Sequence, residues 1–272
     1  MPIAVSDPDD PRIEAYRAVR ERDLVGRRHR FIAEGEVVLR VLLKQTRFRI
    51  ESVLLAESRV DVLGDALDLL SPEVPVYTAN RAVMDAIVGF PIHRGILAVA
   101  HRAPAPPVEE LLSQMPEEAL VVGLIGLANH DNVGGIFRNA AAFGAGAVLL
   151  DQETCDPLYR KAVRVSVGGA LVVPFTRASS AGAMVQALRA ASFDVIALSP
   201  SGREVLSQVQ PSRRTALLLG AEGPGLPAEL LAQTRTVSIP MSGGFDSLNV
   251  ATTSGIALHH LSQAQRNGKA AR

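Results

Sequence analysis

The chain has 272 residues, of which 47% are apolar and 21% charged, and its 28 basic and 28 acidic side chains balance. This composition excludes a disordered or fibrous protein, and the length predicts two domains or one large domain. A single cysteine, Cys155, excludes an intramolecular disulfide, and no group of Cys and His has the spacing of a zinc site. We therefore expect no bound metal and a reducing, cytoplasmic location.

Neither export nor membrane insertion is expected from the sequence. Residues 1–12 lack the apolar core of a signal peptide. Elsewhere in the chain, no run of about 18 apolar residues occurs that could span a bilayer.

The balanced net charge conceals a basic segment near the start of the chain. Residues 12–49 hold ten Arg and one Lys against five acidic residues. Guanidinium groups form bidentate contacts with phosphate, so this segment favours a surface that binds nucleic acid. In the simpler alternative, these side chains only solvate one face of a helix.

Short strands and helices alternate through the first hundred residues. Helices are predicted at 34–45 and near 61–70, and strands at 50–56, around Val76 and at 95–100. This alternation predicts a small α/β domain over residues 1–103. A Pro-rich stretch then begins at Pro104, where fixed φ angles and missing backbone donors exclude a strand or helix, so we predict a linker over residues 104–116.

Longer apolar strands follow the linker. They are predicted at 120–127, 147–150, 171–174, 195–198, 216–219 and 237–239. Near-continuous runs of Val, Leu and Ile are typical of parallel strands that are covered on both faces. A last helix is predicted at 247–265, ending near Asn267-Gly268. Residues 117–272 are thus predicted to form a mostly parallel sheet with flanking helices.

Three loops that follow predicted strands are rich in small and polar residues. In a parallel sheet, ligands bind beyond the carboxyl ends of the strands, so these loops form the candidate site. The first loop, residues 127–144, is predicted to open a helix near Val133, capped by Asn129 or Asp131. Arg138 would then lie on the second turn, free to reach toward the strand ends or, in the simpler alternative, paired with a carboxylate.

The second and third loops carry further candidate polar groups. Residues 219–227 hold Glu222 between glycines, and residues 239–251 bring Ser247 and Asn249 to the start of the last helix. Taken alone, each loop is more often structural, because Asn, Gly and Pro are turn residues and a Glu is favourable near a helix N-terminus.

Two common enzyme signatures are missing from the sequence. Gly144-Ala145-Gly146 leads into a strand instead of opening a helix, which disfavours a dinucleotide-binding fold. A Gly-x-Ser-x-Gly nucleophile turn does not occur, which disfavours a Ser-His-Asp hydrolase.

In order, spacing and content, the three loops resemble the signature motifs of the SpoU (TrmH) family of SPOUT methyltransferases. The resemblance covers about residues 117–267. The matching residues are Asn132, Gly134 and Arg138 in the first motif, Gly220, Glu222, Gly223, Gly225 and Leu226 in the second, and Ile239, Pro240, Met241, Ser247, Leu248, Asn249 and Val250 in the third.

The chain departs from the family pattern at a few positions. Gly135 and Asn139 stand where the family often has Ala and Thr, and Ala-Thr-Thr at residues 251–253 stands where Ser and Ala are usual. The front domain resembles, more loosely, the substrate-binding domain often fused to such enzymes. That likeness covers about residues 27–101, with Gly35-Glu36 early and His93 to Ala98 closing it.

The resemblance implies a fold and a reaction. It implies methyl transfer from S-adenosylmethionine to the 2′-hydroxyl of a ribose in structured RNA, either tRNA or rRNA. The implied C-terminal domain carries a deep trefoil knot, and the implied assembly is a homodimer with a shared active site. We expect the apolar face of the last helix, with Val250, Ile256, Leu258 and Leu261, to form the dimer contact.

The resemblance also implies roles for individual residues. The implied catalytic residues are Arg138, Asn132, Glu222, Ser247 and Asn249. The implied cofactor contacts are Gly220, Ile239, Leu248, Leu198, Glu222, Gly223 and Met241. The family proposal has Arg138 activate the hydroxyl, but a guanidinium is hard to deprotonate, so we expect Arg138 to hold the adjacent phosphate while the polar side chains orient it and the ribose.

Two other functions stay open at this stage. One is a noncatalytic RNA-binding or ribosome-assembly protein that keeps the knotted pocket, and the other is a methyltransferase acting on a base or a small molecule. The basic segment and the added front domain argue against a small-molecule substrate. The target nucleotide cannot be read from the sequence.

Overall fold

The computed structural model describes most of the chain. The described residues are 2–17, 25, 29–88, 95–242 and 247–270, with side chains up to residue 263. Parts of the features predicted from the sequence lie outside them: His93 and Arg94 of the front-domain resemblance, and Arg20, Glu21, Arg22, Asp23, Arg27 and Arg28 of the basic segment.

The chain divides into two compact units. The front unit comprises Met1–Pro104 and Leu158–Val172, and the C-terminal unit comprises Ala105–Pro157 and Val173–Arg272. The segment 158–172 therefore leaves the C-terminal unit and returns to it, an excursion that the predicted limits do not contain. Local sequence cannot reveal such an excursion, because the contacts that define it are distant along the chain.

The front unit contains a five-stranded mixed sheet. Its strands are β1 Ile3–Ala4, β2 Arg30–Glu34, β3 Arg49–Ala56, β4 Val76–Ala79 and β5 Ile96–His101, in the order β1-β4-β3-β5-β2. β5 is antiparallel to β2 and β3, whereas β4 is parallel to β1 and β3. The strands predicted at 50–56, around Val76 and at 95–100 are confirmed. β1 and β2, of two and five residues, were not predicted.

The C-terminal unit contains a seven-stranded sheet in which every described pair is parallel. Its strands are β6 Ala119–Leu124, β7 Ala147–Leu150, β8 Phe175–Arg177, β9 Asp194–Leu198, β10 Glu204–Val205, β11 Arg214–Leu219 and β12 Arg235–Ser238, in the order β10-β12-β9-β11-β6-β7-β8. The central strands are buried along nearly their whole length, which explains their apolar runs. The predicted α/β class and parallel sheet are confirmed, and the trefoil knot stays a prediction.

The α-helices within the described residues vary from one turn to about six turns. They are α1 Glu36–Leu42, α2 Gly64–Leu67, α3 Arg81–Val88, α4 Val108–Ser113, α5 His130–Ala142, α6 Arg160–Val165, α7 Gly169–Val172, α8 Ala181–Ala190, α9 Ala228–Gln233 and α10 Val250–Ala270. Short 3₁₀ helices add Pro11–Tyr16, Glu57–Arg59, Asp61–Leu63 and Leu206–Gln208. None of these described helices is long and apolar enough to cross a membrane.

Several predicted elements differ from the structure. The strand predicted at 171–174 is wrong: Gly169–Val172 is helical, and β8 starts only after Pro174. A short buried apolar run has no period that distinguishes strand from helix. The segment predicted as a linker includes α4, whose apolar residues Val108, Leu111 and Leu112 pack in the C-terminal core.

The observed bounds of three helices also differ from the predicted ones. The helix predicted at 34–45 is shorter, because Glu34 ends β2 and Gly35 has a φ of +97°. The helix predicted near 61–70 consists of one turn of 3₁₀ helix, Asp61–Leu63, followed by one turn of α-helix, Gly64–Leu67. α10 begins at Val250 and continues past Asn267-Gly268 to Ala270, so the predicted end is wrong.

The apolar face of α10 packs mainly inside its own chain. Leu258 and Leu261 are fully buried and Val250 nearly so, whereas Ile256 is 41% exposed. α10 packs against α5. Of the four residues expected at a dimer contact, only Ile256 therefore presents substantial apolar surface.

Candidate active site at the carboxyl ends of the C-terminal sheet

The three candidate loops meet at one edge of the C-terminal sheet. They follow β6, β11 and β12, and β6 and β11 are direct neighbours in the sheet. Because all of these strands are parallel, their carboxyl ends share one edge. The arrangement predicted from strand order alone is thus present.

Asn249 joins the three loops through its side-chain amide. Its Nδ2 donates to Asn132 Oδ1 at 2.9 Å and to Glu222 Oε1 at 3.2 Å. Its Oδ1 accepts from the backbone N–H groups of Ala251 and Thr252, at 2.9 and 3.2 Å, and so caps α10. The cap fixes which way the amide faces, and its donor is directed at the other two loops.

Asn132 lies on the first turn of α5. That helix begins at His130, three residues earlier than predicted, with Asn129 as its N-cap accepting from Asp131 N at 2.9 Å. Asn132 is 3% exposed, and its Nδ2 has no hydrogen-bond partner among the described residues. A buried amide donor without a partner is costly to stability, which marks Asn132 as an unusual position in the core.

Arg138 lies on the third turn of α5 and is exposed. Its guanidinium makes no hydrogen bond or ion pair with any residue that the structure describes. The surface ion pair considered above is thus not formed. Of the polar side chains expected to orient Arg138, Asn132 and Glu222 bond Asn249 instead.

A cavity of about 450 Å³ opens beside Asn249, a volume in the usual range for ligand sites. The loops after β9, β11 and β12 and the start of α10 form its walls. It contains all seven side chains or backbone positions expected at a cofactor: Leu198, Gly220, Glu222, Gly223, Ile239, Met241 and Leu248. Ser247 and Asn249 also line it, whereas Asn132 and Arg138 do not.

The glycines of the second loop let the backbone fold back closely on itself. A Cβ on Gly220 would lie 2.4 Å from the carbonyl carbon of Gly225, so a side chain cannot fit there. Gly223 and Gly225 have φ of +85° and +69°, in the left-handed region that favours glycine. Backbone groups of this loop therefore line the cavity without intervening side chains.

The chain can now be compared with known proteins. Residues 119–259, more than half of the chain, match the SpoU rRNA methylase family. The chain belongs to this family. A tRNA/rRNA methyltransferase of Mycobacterium tuberculosis, named as uncharacterized, is 40% identical over 265 residues, covering 94% of this chain and 90% of that protein.

Two further relatives carry more specific names. The 23S rRNA (guanosine-2′-O-)-methyltransferase RlmB of Acinetobacter baylyi is 30% identical over 203 residues, covering 72% of this chain and 82% of its own length. The crystal structure of an AdoMet-bound rRNA methyltransferase from Sinorhizobium meliloti has a TM-score of 0.81 and 26% identity, covering 97% of both chains. The likeness to the S. meliloti structure covers 97% of this chain and so includes the front unit.

A fourth loop, which the sequence analysis overlooked, supports the first SpoU motif. The buried Asp151 follows β7, and its carboxylate accepts from Gly126 N at 3.0 Å, from Thr154 N at 2.8 Å and from Thr154 Oγ1 at 2.7 Å. Leu127 N in turn donates to Thr154 Oγ1 at 3.2 Å. The backbone that leads from β6 into α5 is therefore held by two buried side chains. An acidic residue directly after an apolar strand was the available signal.

Proposed function

We propose that this SpoU-family chain transfers a methyl group from S-adenosylmethionine to the 2′-hydroxyl of a ribose in tRNA or rRNA. The observation that carries the proposal is the position of Asn249, which lines the cavity and also bonds Asn132 outside it. One residue thus joins a cofactor-sized cavity to a set of polar groups suited to a ribose and its phosphate. The name of the A. baylyi relative, a 2′-O-methyltransferase, supports ribose as the acceptor, and the AdoMet-bound S. meliloti rRNA methyltransferase supports the cofactor.

The cavity fits the proposed cofactor. Leu198, Ile239 and Leu248 offer apolar surface for an adenine ring, and Leu248 is 44% exposed beside the cavity. The close backbone turn at Gly220 and Gly223 offers peptide groups for the polar edge of the base and for the ribose. When bound, S-adenosylmethionine supplies an electrophilic methyl group. Met241 and Glu222 complete the proposed set of contacts.

On the substrate side, Arg138 and Asn132 perform different tasks. Arg138 holds the phosphate next to the target ribose, because an unpaired guanidinium fork suits two phosphate oxygens. Asn132 donates from Nδ2 to a ribose oxygen, which would satisfy its buried donor. Glu222, Ser247 and Asn249 hold the hydroxyl in line with the cofactor cavity. Positioning supplies much of the rate for such a transfer.

The hydroxyl proton needs an acceptor as the methyl group is transferred. Arg138 cannot take it, since a guanidinium in a protein holds its protons. We assign the proton to an oxygen of the phosphate that Arg138 holds. Arg138 then stabilises the negative charge that develops on the ribose oxygen.

The described part of the basic segment is largely neutralised within the front unit. Its paired arginines are Arg12 with Asp10, Arg17 with Asp9, Arg30 with Glu51, and Arg40 with Glu36 and Asp65. Arg47 donates to the carbonyl of Leu171 at 2.6 Å. Lys44 and Arg49 are exposed and form no ion pair with described residues. Among the described residues of this segment, we therefore assign RNA contacts to Lys44 and Arg49.

The proposal includes a homodimer and a cytoplasmic location. The dimer rests on the family resemblance alone. The apolar face of α10 that was expected to form the dimer contact is mostly buried within the chain. A tRNA or rRNA substrate implies a cytoplasmic protein. Sedimentation of the full chain at micromolar concentration tests the dimer directly.

Two experiments test the proposed function. Calorimetry should show one site per chain for S-adenosylhomocysteine and none for a nicotinamide dinucleotide. Mapping of methylated riboses in RNA from cells with and without the protein should show at least one ribose that depends on it. Cofactor binding with an unchanged ribose map would favour the noncatalytic RNA-binding protein instead.

A further inference from the structure

Helices α5 and α10 approach each other so closely that their backbones nearly touch. A Cβ on Gly135 of α5 would lie 2.7 Å from the Cβ of Ala251 on α10. Real Cβ atoms essentially never come that close, so any side chain at residue 135 would push the helices apart. One turn further along, a Cβ on Gly255 of α10 would lie 3.2 Å from Asn139 Nδ2.

Asn139 bonds the two helices at this contact. Its Nδ2 donates to the carbonyl oxygen of Ala251 at 2.7 Å and to Ser254 Oγ at 2.9 Å. Ser254 is fully buried, and its Oγ donates to the same Ala251 carbonyl at 2.7 Å. These polar groups satisfy one another between the helices, which fixes both the separation and the register of α5 and α10.

The contact lies one turn beyond the polar groups of the proposed active site. Gly135 is three residues after Asn132 and so lies on the same side of α5, while Ala251 is two residues after Asn249. Asn139 directly follows Arg138. Any change in the separation of the helices would thus be transmitted to the Asn249–Asn132 hydrogen bond and to the base of Arg138.

We propose that Gly135, Asn139, Ala251 and Ser254 form a helix clamp of positioning residues, which holds Asn132 and Arg138 of α5 in register with Asn249 of α10. The clamp rests on the proposed function, because it acts through residues assigned to methyl transfer. Gly135 and Asn139 of α5 both meet Ala251 of α10 in this contact.

The test uses a paired exchange across the clamp. Gly135→Ala should slow single-turnover methyl transfer, at saturating RNA and cofactor, by about tenfold to a hundredfold, because a misplacement of about 1 Å is enough for such a loss. The affinity for S-adenosylhomocysteine should change less than about threefold, since the cavity walls do not include residue 135. The double variant Gly135→Ala/Ala251→Gly removes the clash and should recover most of the lost rate.

A matched control and a second variant complete the test. Gly182→Ala adds a methyl group to α8, where nothing lies closer than 3.9 Å, and should leave the rate unchanged. Asn139→Ala removes the polar bonds without adding bulk, so it should also slow the reaction, and Ala251→Gly should not rescue it. Thermal unfolding of each variant checks that it is folded.

The possible outcomes separate this inference from the proposed function. An active wild type whose Gly135→Ala variant is equally fast would overturn the clamp alone. A double variant that stays as slow as Gly135→Ala would do the same. A wild type that binds S-adenosylhomocysteine but methylates no RNA would overturn the proposed function, and the clamp with it.

Discussion

Asn249 Nδ2 lies 2.9 Å from Asn132 Oδ1, although the two residues are 117 positions apart in the sequence. The same amide bonds Glu222, so a single side chain ties the loops after β6, β11 and β12 together. Asn249 can do this because its side-chain oxygen, Oδ1, caps α10. Only the side-chain NH₂ group is then left to face the other loops.

The Asn249 arrangement predicts the effect of Asn249→Asp. Asp is as good an N-cap as Asn, so α10 should stay capped and the thermal stability should change little. The new carboxylate would face Asn132 Oδ1 and Glu222 Oε1 with no donor, and the two carboxylates would repel each other. Methyl transfer should fall about a hundredfold or more, as for other lost active-site hydrogen bonds. Ser180→Asp, at the N-cap of α8, is the control and should keep full activity.

Substitution of Arg138 tests whether this exposed arginine is an active-site cation or only a surface residue. Arg138→Ala should lower single-turnover methyl transfer by about a hundredfold or more, because it removes both the phosphate contact and charge stabilisation. Arg138→Lys should stay strongly impaired, since lysine keeps the charge but loses the planar fork. Arg213→Ala, which removes an exposed ion pair to Glu117, is the matched control. Wild-type turnover in Arg138→Ala would show that Arg138 plays no part in the reaction.

Asp151 is predicted to hold the first SpoU motif in place. An Asn at this position has one acceptor oxygen for the bonds that Asp151 accepts, so a buried N–H would lose its partner at a cost of about 1–3 kcal/mol. Asp151→Asn should therefore lower the free energy of unfolding in urea and loosen the loop that contains Cys155. Glu153→Gln, in the exposed part of the same loop, should do neither.

Cys155, the single cysteine, reports the opening of that loop. Burial raises the pKa of its thiol to about 12, so little thiolate forms at neutral pH and alkylation of the native protein should be slow. Asp151→Asn should speed the alkylation of Cys155 under native conditions. Equal alkylation rates in Asp151→Asn and in wild type would mean that Asp151 does not hold the loop.

The basic segment predicts a salt-dependent contact with RNA. The double variant Lys44→Ala/Arg49→Ala removes two exposed cations and should flatten the slope of log affinity against log salt by about 1 to 2, the effect of losing one or two phosphate contacts. Arg12→Ala/Arg40→Ala makes the same change in net charge at side chains that are already paired. It should alter the slope less, and identical slopes for the two double variants would contradict the assignment.

The sequence was most informative where strands are buried and motifs follow them. β7 has the predicted bounds, because a fully apolar run ends at Gly146 on one side and at Asp151 on the other. All seven residues that the family resemblance implies at a cofactor line one cavity. The strand bounds depend on local pattern, whereas the cofactor contacts depend on the resemblance of the three loops to the family motifs.

Features that depend on distant contacts could not be predicted. The excursion of residues 158–172 to the front unit is defined by its packing there, including Arg47, which bonds the carbonyl of Leu171. The helix at Gly169–Val172 was predicted as part of a strand, because an apolar run of four residues is too short to show the periodicity of either a helix or a strand. α5 starts earlier than the sequence predicts, which places Arg138 on its third turn instead of its second.

The central claim, methyl transfer to a ribose hydroxyl, is tested most directly by the site of the label on RNA. Unmodified tRNA and rRNA are incubated with the protein and S-adenosylmethionine labelled in the methyl group, and the product RNA is hydrolysed with alkali. A 2′-O-methyl group removes the hydroxyl that alkaline cleavage requires, so we predict that the label appears in alkali-resistant dinucleotides. Label in mononucleotides would show a base methyltransferase, and RNA without label would contradict the proposed activity altogether.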